Sequence, residues 1–236
     1  MTRPGAEYGL RMPESAESLV VAMRDLIEVV RTAELGDADL GWATELVTDI
    51  AQRLRPKVVD GVRMQHALRY EGFTGKGDRF DPDTTDEAAA GGSLDPEEFF
   101  PYSPLVGRLN PISPPIRMWR ASGASKGEVH GSAVFRSAYN GPPGSVHGGV
   151  LAATFDELLG ATAVVNGLGA FTGTLSVVYK SFTPLEQKVD MRAWVTGTER
   201  RKVFIEGEIR HGSKLCATAS GIFIRSEKLA GLPGAS

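Results

Sequence analysis

Cysteine is all but missing from this sequence. Cys216 is the only one in 236 residues, so no intramolecular disulfide and no multi-cysteine metal site can be assembled. That scarcity suits a reducing compartment; a cytoplasmic location is expected, and no metal ligands are. The lone thiol sits in the alternating stretch Leu215 to Phe223, the setting of an inert strand cysteine rather than a nucleophile. Positive charge is not in excess either. The 26 Lys and Arg face 29 Asp and Glu, a formal net charge of -3, so no global positive field exists to attract a nucleic-acid backbone and no nucleic-acid partner is expected. Long apolar runs are also lacking. The opening MTRPGAEYGLRMPESAES has no signal-peptide core, and no later run approaches the ~20 apolar residues of a membrane span.

What is present describes a globular chain. The hydrophobic fraction is 42% and the charged fraction 23%, enough to bury an ordinary core. Residues 15–31 set Leu19, Met23, Leu26 and Val30 at helical spacing, and after Asp39 the residues Leu40, Ala43, Val47, Ile50 and Leu54 form a second stripe that Pro56 stops. Two amphipathic helices, packed on each other or on the main body, are expected, with a partner-binding surface as the alternative use of the stripes. Between Gly75 and Glu98 the chain turns to Gly, Asp and Pro and reads as a loop or linker. The following FFPYSPLVGRLNPISPP, with prolines at 101, 104, 111, 114 and 115, predicts an extended ribbon over the surface of a folded body.

From Ile116 the period changes to that of strands. IRMWRA and EVHGSAVFRS come first, then the Gly/Pro turn YNGPPGS, then a helix-compatible stretch from His147 to about Val165. Four more strand-like runs follow: Thr172 to Phe182, Val189 to Thr198, Lys202 to Arg210 and Lys214 to Arg225, the last two joined by His211-Gly212-Ser213. One long helix among consecutive hairpins implies an α+β fold with a mostly antiparallel sheet wrapped around that helix. The organisation expected is an N-terminal helical and proline-rich extension over 1–115, a main domain over 116–228 and a tail over 229–236.

The segment GPPGSVHGGVLAATFDELLGATA joins a tight turn to a helix start with two glycines. Free amides at a helix N-terminus carry partial positive charge, and Gly148 and Gly149 lack the side chains that would keep a substrate oxygen away. Nine positions after His147 comes Asp156, a carboxylate on an otherwise apolar helix. Such a group invites a catalytic reading; its neighbour Glu157 reads as part of a solvated helix face or of a buried ion pair.

HGGVLAATFDELLG resembles the signature of the hotdog-fold acyl-CoA thioesterase superfamily, of the 4-hydroxybenzoyl-CoA and phenylacetyl-CoA types. YNGPPGSVHGG with VVYKSFTPL downstream looks especially like the mammalian mitochondrial acyl-CoA thioesterase branch, and the similarity covers about Val129 to Arg225. The resemblance implies hydrolysis of an acyl-CoA thioester to free acid and CoA, with coenzyme A part of the substrate and no separate cofactor. It implies that Asp156 is the catalytic carboxylate, a general base on water or a nucleophile, and that Gly149, or else Gly148, is the amide that polarises the carbonyl. Thr172 falls on a hydroxyl position that assists the carboxylate, and His147 on one that shapes the turn. Relatives bind the carbonyl oxygen with an Asn shortly before the HGG; Asn140 stands seven positions before His147 and is the candidate here, with a simple turn residue as its alternative.

Geometry adds a partner. Along one helix Asp156 lies about 10–12 Å from the glycine amides at ~1.5 Å per residue, whereas the water-activating base and the oxyanion donor must both sit ~3 Å from one thioester. The superfamily's arrangement implies a homodimer, or a dimer of dimers, in which each site takes Gly149 from one chain and Asp156 and Thr172 from the other. For the CoA phosphates the candidates are Lys180 and the cluster Arg200, Arg201 and Lys202. Two other readings stay open: a non-catalytic hotdog module that binds an acyl or aromatic ligand, and a hotdog enoyl-CoA hydratase. The extension is expected to cover the domain or its tunnel mouth.

Overall fold

An 18-residue helix with almost no polar face can be stable in water only if other elements surround it. The computed structural model describes residues 14–58, 96, 100–125 and 127–225. In chain order its elements are α1 (Glu14–Thr32), α2 (Asp37–Leu54), β1 (Ile116–Arg120), β2 (Val129–Val134), α3 (Gly148–Val165), β3 (Ala170–Tyr179), β4 (Lys188–Glu199), β5 (Lys202–His211) and β6 (Lys214–Arg225). The linker expected from Gly75 to Glu98 lies outside the described residues apart from Pro96, as does the tail over 229–236.

The six strands form one antiparallel sheet in the order β1-β2-β4-β5-β6-β3. β4, β5 and β6 are sequential hairpins, and Gly212 at φ 57 makes the tight turn between β5 and β6. β3 departs from the consecutive-hairpin expectation: after α3 the chain crosses to the far edge and pairs with β6 instead of β4. The sheet curls round α3, whose Leu151, Phe155, Leu158, Leu159, Ala161, Ala163 and Val165 are buried against Val129, Met191, Ile205, Ile209 and Phe223. Cys216 is fully buried in this core. Among the described residues, α3 alone is long and apolar enough to cross a membrane by length and composition, and half of it is buried in the fold. It is the core helix of the domain.

Two expectations about the extension change. The proline-rich segment is not an extended ribbon but a run of turns, with hydrogen bonds Ser103 N–H to Phe100 O, Gly107 N–H to Ser103 O and Asn110 N–H to Gly107 O. Pro101, Pro104 and Pro111 suit the fixed-φ positions of such turns. At Gly107 a Cβ would lie 2.4 Å from Ser103 O, so only glycine allows the chain to double back there. This segment contributes Phe100 and Val106 to the core.

The helices also turn a different face inward than their apolar stripes predict. α1 buries Val20 and Glu28, while Leu19, Met23, Leu26 and Val30 are 42% to 55% exposed. α2 buries nothing. What seats α1 is polar: Arg24 Nη2 donates to Gly107 O (2.9 Å), Asn110 O (2.9 Å) and Ser113 Oγ (2.6 Å). Turn carbonyls present fixed acceptors that apolar side chains cannot satisfy, and the guanidinium fork does.

Candidate active site

The side of α3 that the sheet leaves open carries Gly149, Ala153, Asp156 and Gly160, all partly or fully exposed. Gly149 and Asp156 are seven positions apart, two turns of helix, so both face the same way at about 10 Å separation. Asp156 has a partner from the sheet. Thr172 Oγ1 donates to Asp156 Oδ1 at 2.8 Å. The register between β3 and β6 shifts between Thr172 and Thr174, and such a bulge re-aims the side chain beside it. At Gly173 a Cβ would stand 3.1 Å from Ile222 O, a tight approach that a larger residue would have to relieve.

The helix start is built from backbone. His147 N–H donates to Tyr139 O (2.9 Å), Val146 N–H donates to Thr183 O (2.9 Å), and Asn140 bridges to Val146. Tyr179 Oη donates to Gly148 O (2.8 Å), and its ring stands 3.3 Å from where a Cβ on residue 148 would be. A side chain at 148 would press on the tyrosine ring, which would have to shift by a few tenths of an ångström. The Gly149 N–H donates to His147 Nδ1 at 2.9 Å in an exposed hydrogen bond. The amide expected to meet a carbonyl oxygen thus has a local partner, and His147 acts as the side-chain cap of α3. Asn140 is engaged as well: Arg31 Nη2 of α1 donates to its Oδ1 at 2.9 Å.

The four basic candidates stand at two places on the sheet. Lys180 follows the end of β3 that pairs with Ala217, near Gly148, whereas Arg200, Arg201 and Lys202 lie beside Arg225 at the other end of the sheet. Eight residues of β6 between those ends span roughly 25 Å at ~3.3 Å per residue. Arg201 is spent locally, donating through Nε and Nη2 to Arg225 O at 3.2 Å. Among the described residues no group of three or more His, Cys, Asp or Glu is arranged to hold a metal.

Glu157 corrects the reading of it as a solvated residue. It is tucked under the turn segment, where Ser103 Oγ donates to its Oε1 at 2.8 Å. Burial pushes its carboxyl above the ordinary range, the Ser103 hydrogen bond opposes that, and the charge of Asp156 adds to it. Sequence reasoning missed this contact and those of Arg31 and Tyr179. Tyr179 had a signal, since it lies in the VVYKSFTPL string, but nothing local marks Ser103 or Arg31 as partners of residues 54 and 109 positions away.

Residues 143–217 match the model of the family described as Thioesterase superfamily. Acyl-coenzyme A thioesterase THEM5 of Homo sapiens is 34% identical over 91 residues, 38% of this chain and 37% of that protein. Acyl-coenzyme A thioesterase THEM4 of Xenopus laevis is 40% identical over 87 residues, 36% of this chain and 39% of that protein. The matches thus span less than two-fifths of the length of these curated relatives. A crystal structure described as a thioesterase superfamily protein is similar at a TM-score of 0.70 and 23% identity, covering 94% of this chain and 97% of that one, a likeness of fold that reaches into the N-terminal helices. The fold is the hotdog fold, and the part of it similar to the thioesterase superfamily, residues 143–217, carries α3 and β3 to β5.

Proposed function

We propose that this chain hydrolyses an acyl-CoA thioester to the free acid and CoA. One observation carries the reading: the Thr172 hydroxyl on Asp156 Oδ1, on the same open face of α3 as the Gly149 amide. Thr172 donates to one carboxylate oxygen and leaves the other free to accept a proton from water. Asp156 is the general base, the water oxygen adds to the carbonyl carbon, and the oxyanion is stabilised by the Gly149 N–H and the start of α3. Collapse of the tetrahedral intermediate expels the CoA thiolate. In the resting chain His147 Nδ1 occupies that N–H; an exposed hydrogen bond of this kind contributes only about 0.5–1.5 kcal/mol net, so the thioester oxygen displaces it at small cost. The acyl-CoA activity of the relatives matched over residues 143–217 supports the substrate class.

The ~10 Å between Asp156 and Gly149 on one helix favours sites shared between two copies. β3 is a ten-residue edge strand with Phe171 63%, Val178 46% and Tyr179 53% exposed. An edge of that length with apolar side chains is a template for pairing with another strand. A twofold pairing of β3 edges would bring the Asp156–Thr172 end of one chain toward the Gly149–Tyr179 end of the other, and Lys180 toward the partner's basic turn.

The test is release of free thiol from a panel of acyl-CoAs, run beside hydration of an enoyl-CoA and equilibrium binding of the same ligands. Thiol release is expected; hydration, or binding without turnover, would replace this reading by one of the other two. Mixing Asp156→Asn chains with chains disabled at Gly149, after mass spectrometry has verified subunit exchange, is expected to recover activity. Verified heterodimers that stay inactive would remove the shared site.

A further inference from the structure

Glu28 is 6% exposed, a carboxylate buried in the seam between α1 and the body of the domain. Burying such a charge is costly unless hydrogen bonds replace its water. Its partners are backbone: Ser137 N–H donates to Oε1 at 3.1 Å and Ala138 N–H to Oε2 at 2.9 Å. Glu28 thus caps the 3-10 turn Ser137–Tyr139, sharing the Ser137 N–H with Glu186 Oε1 at 3.1 Å. One turn further along α1, Arg31 donates to Asn140 Oδ1 just beyond that turn. A guanidinium can only donate, so it selects the carbonyl side of the Asn140 amide and leaves the NH2 as a donor for another partner.

The capped turn leads directly to the helix start. Tyr139 O accepts from His147 N–H and Asn140 bridges to Val146, so residues 139–140 are the antiparallel partner of the segment entering α3. From the Glu28 carboxylate to the His147 amide the path is one turn and one hydrogen bond. One other contact of α1 reaches the same turn indirectly, because Arg24 bonds Ser113 Oγ and Ser113 O accepts from Tyr139 Oη at 3.1 Å. Arg24 seats the helix on the Gly107–Ser113 turns, and the Asp25 pair with Arg136 at 3.2 Å is exposed on both sides and contributes little.

We propose that Glu28 and Arg31 are positioning residues: the N-terminal extension acts as a strut that holds the 137–140 turn, and through it the His147–Gly149 amides and the Asn140 NH2, in line with the thioester carbonyl. The proposal rests on the reading of that helix start as the oxyanion site. Its physical content is separate, since a strut must order the turn whatever chemistry the turn performs. A 1 Å misplacement of a reacting group costs on the order of 100-fold in rate at the extreme, and loosening a donor without removing it costs less.

The experiment uses the full chain carrying Glu28→Gln, Arg31→Ala, Arg31→Lys and Asn140→Ala, the double variant Arg31→Ala/Asn140→Ala, and Asp25→Asn as a control on the same helix. Two readouts are taken: steady-state kinetics, and hydrogen exchange of peptides spanning 137–151. Glu28→Gln and Arg31→Ala are expected to lower kcat about tenfold with KM nearly unchanged, as for a contact realised in the transition state. Arg31→Lys should recover most of that loss, and the double variant should be no slower than Asn140→Ala alone, because Arg31 acts through Asn140. Exchange over 137–151 should rise in Glu28→Gln and stay at the wild-type level in Asp25→Asn. Unchanged exchange in both α1 variants would overturn the strut. Additive losses in the double variant would overturn the route through Asn140. If the wild type released no thiol at all, the functional reading would fail, while faster exchange over 137–151 would still support the strut.

Discussion

The two ends of the open face of α3 are built on opposite plans. Around Asp156 the proposed chemistry is in side chains: a carboxylate, one hydroxyl at 2.8 Å from a bulged strand, and a neighbouring Glu157 turned away under Ser103. Around Gly149 it is in the backbone. The amides are presented by glycines, the helix start is aligned by carbonyls at 139 and 183 and by the Tyr179 hydroxyl, and the turn behind it is braced by α1. A side-chain site is fixed by the element it grows from, whereas a backbone site has to be held by everything the chain touches on the way in. This contrast explains why the N-terminal extension reaches one end of α3 through Glu28 and Arg31 and the other through Ser103.

Single substitutions sharpen the contrast. The largest effect is expected at the side-chain end: Asp156→Asn preserves shape but removes the base, and kcat should fall by roughly 10²–10⁴-fold with little change in KM. Near-normal turnover on the best substrate would sink the whole catalytic assignment. A smaller loss is expected at Thr172, whose hydroxyl orients the carboxylate. Thr172→Ala should cost on the order of tenfold in kcat, the scale of a hydrogen bond to a charged group, and Thr172→Ser should restore most of it. Equal losses in both would assign the effect to packing at the bulge instead of the hydroxyl.

What could be read from residue order alone follows the same division. α3, the hairpins and the burial of Cys216 follow from periodicity, since a period of 3.6 or 2 is written locally. Asp156 stood out because a carboxylate on an apolar helix is unusual, and Thr172 followed from the superfamily resemblance. The stripes on α1 and α2 misled because periodicity reports amphipathicity but not which face meets the body; on α1 the inward face is set by Arg24 and Glu28 meeting turn amides and carbonyls. The placement of the basic candidates shows a related limit of residue order. Lys180 and Arg200 to Lys202 lie 20 residues apart, and only the β3–β6 pairing reveals that they occupy opposite ends of the sheet.

The smallest effect is expected at Glu157, where it separates burial from catalysis. Its carboxyl is held above the ordinary range, chiefly by burial, so the folded chain keeps a proton that the unfolded chain has already released. Linkage then fixes the sign: stability falls as pH rises from the unfolded value near 4.3 through the raised folded value, and levels off above it. Glu157→Gln keeps an acceptor for the Ser103 hydroxyl and removes the titration. Relative to wild type, the variant should gain stability across that window and keep the gain at neutral pH, read as a higher Tm. Thermal melts at pH 4 and pH 8 measure the difference between the two proteins, which should be larger at the higher pH. Turnover should stay within about twofold of wild type, because Glu157 points at Ser103 and away from the Thr172–Asp156 pair, about 100° round the helix. A variant that gained nothing between pH 4 and pH 8 would mean that Glu157 is solvated after all, and one that lost turnover as Asp156→Asn does would make the two carboxylates a single catalytic unit.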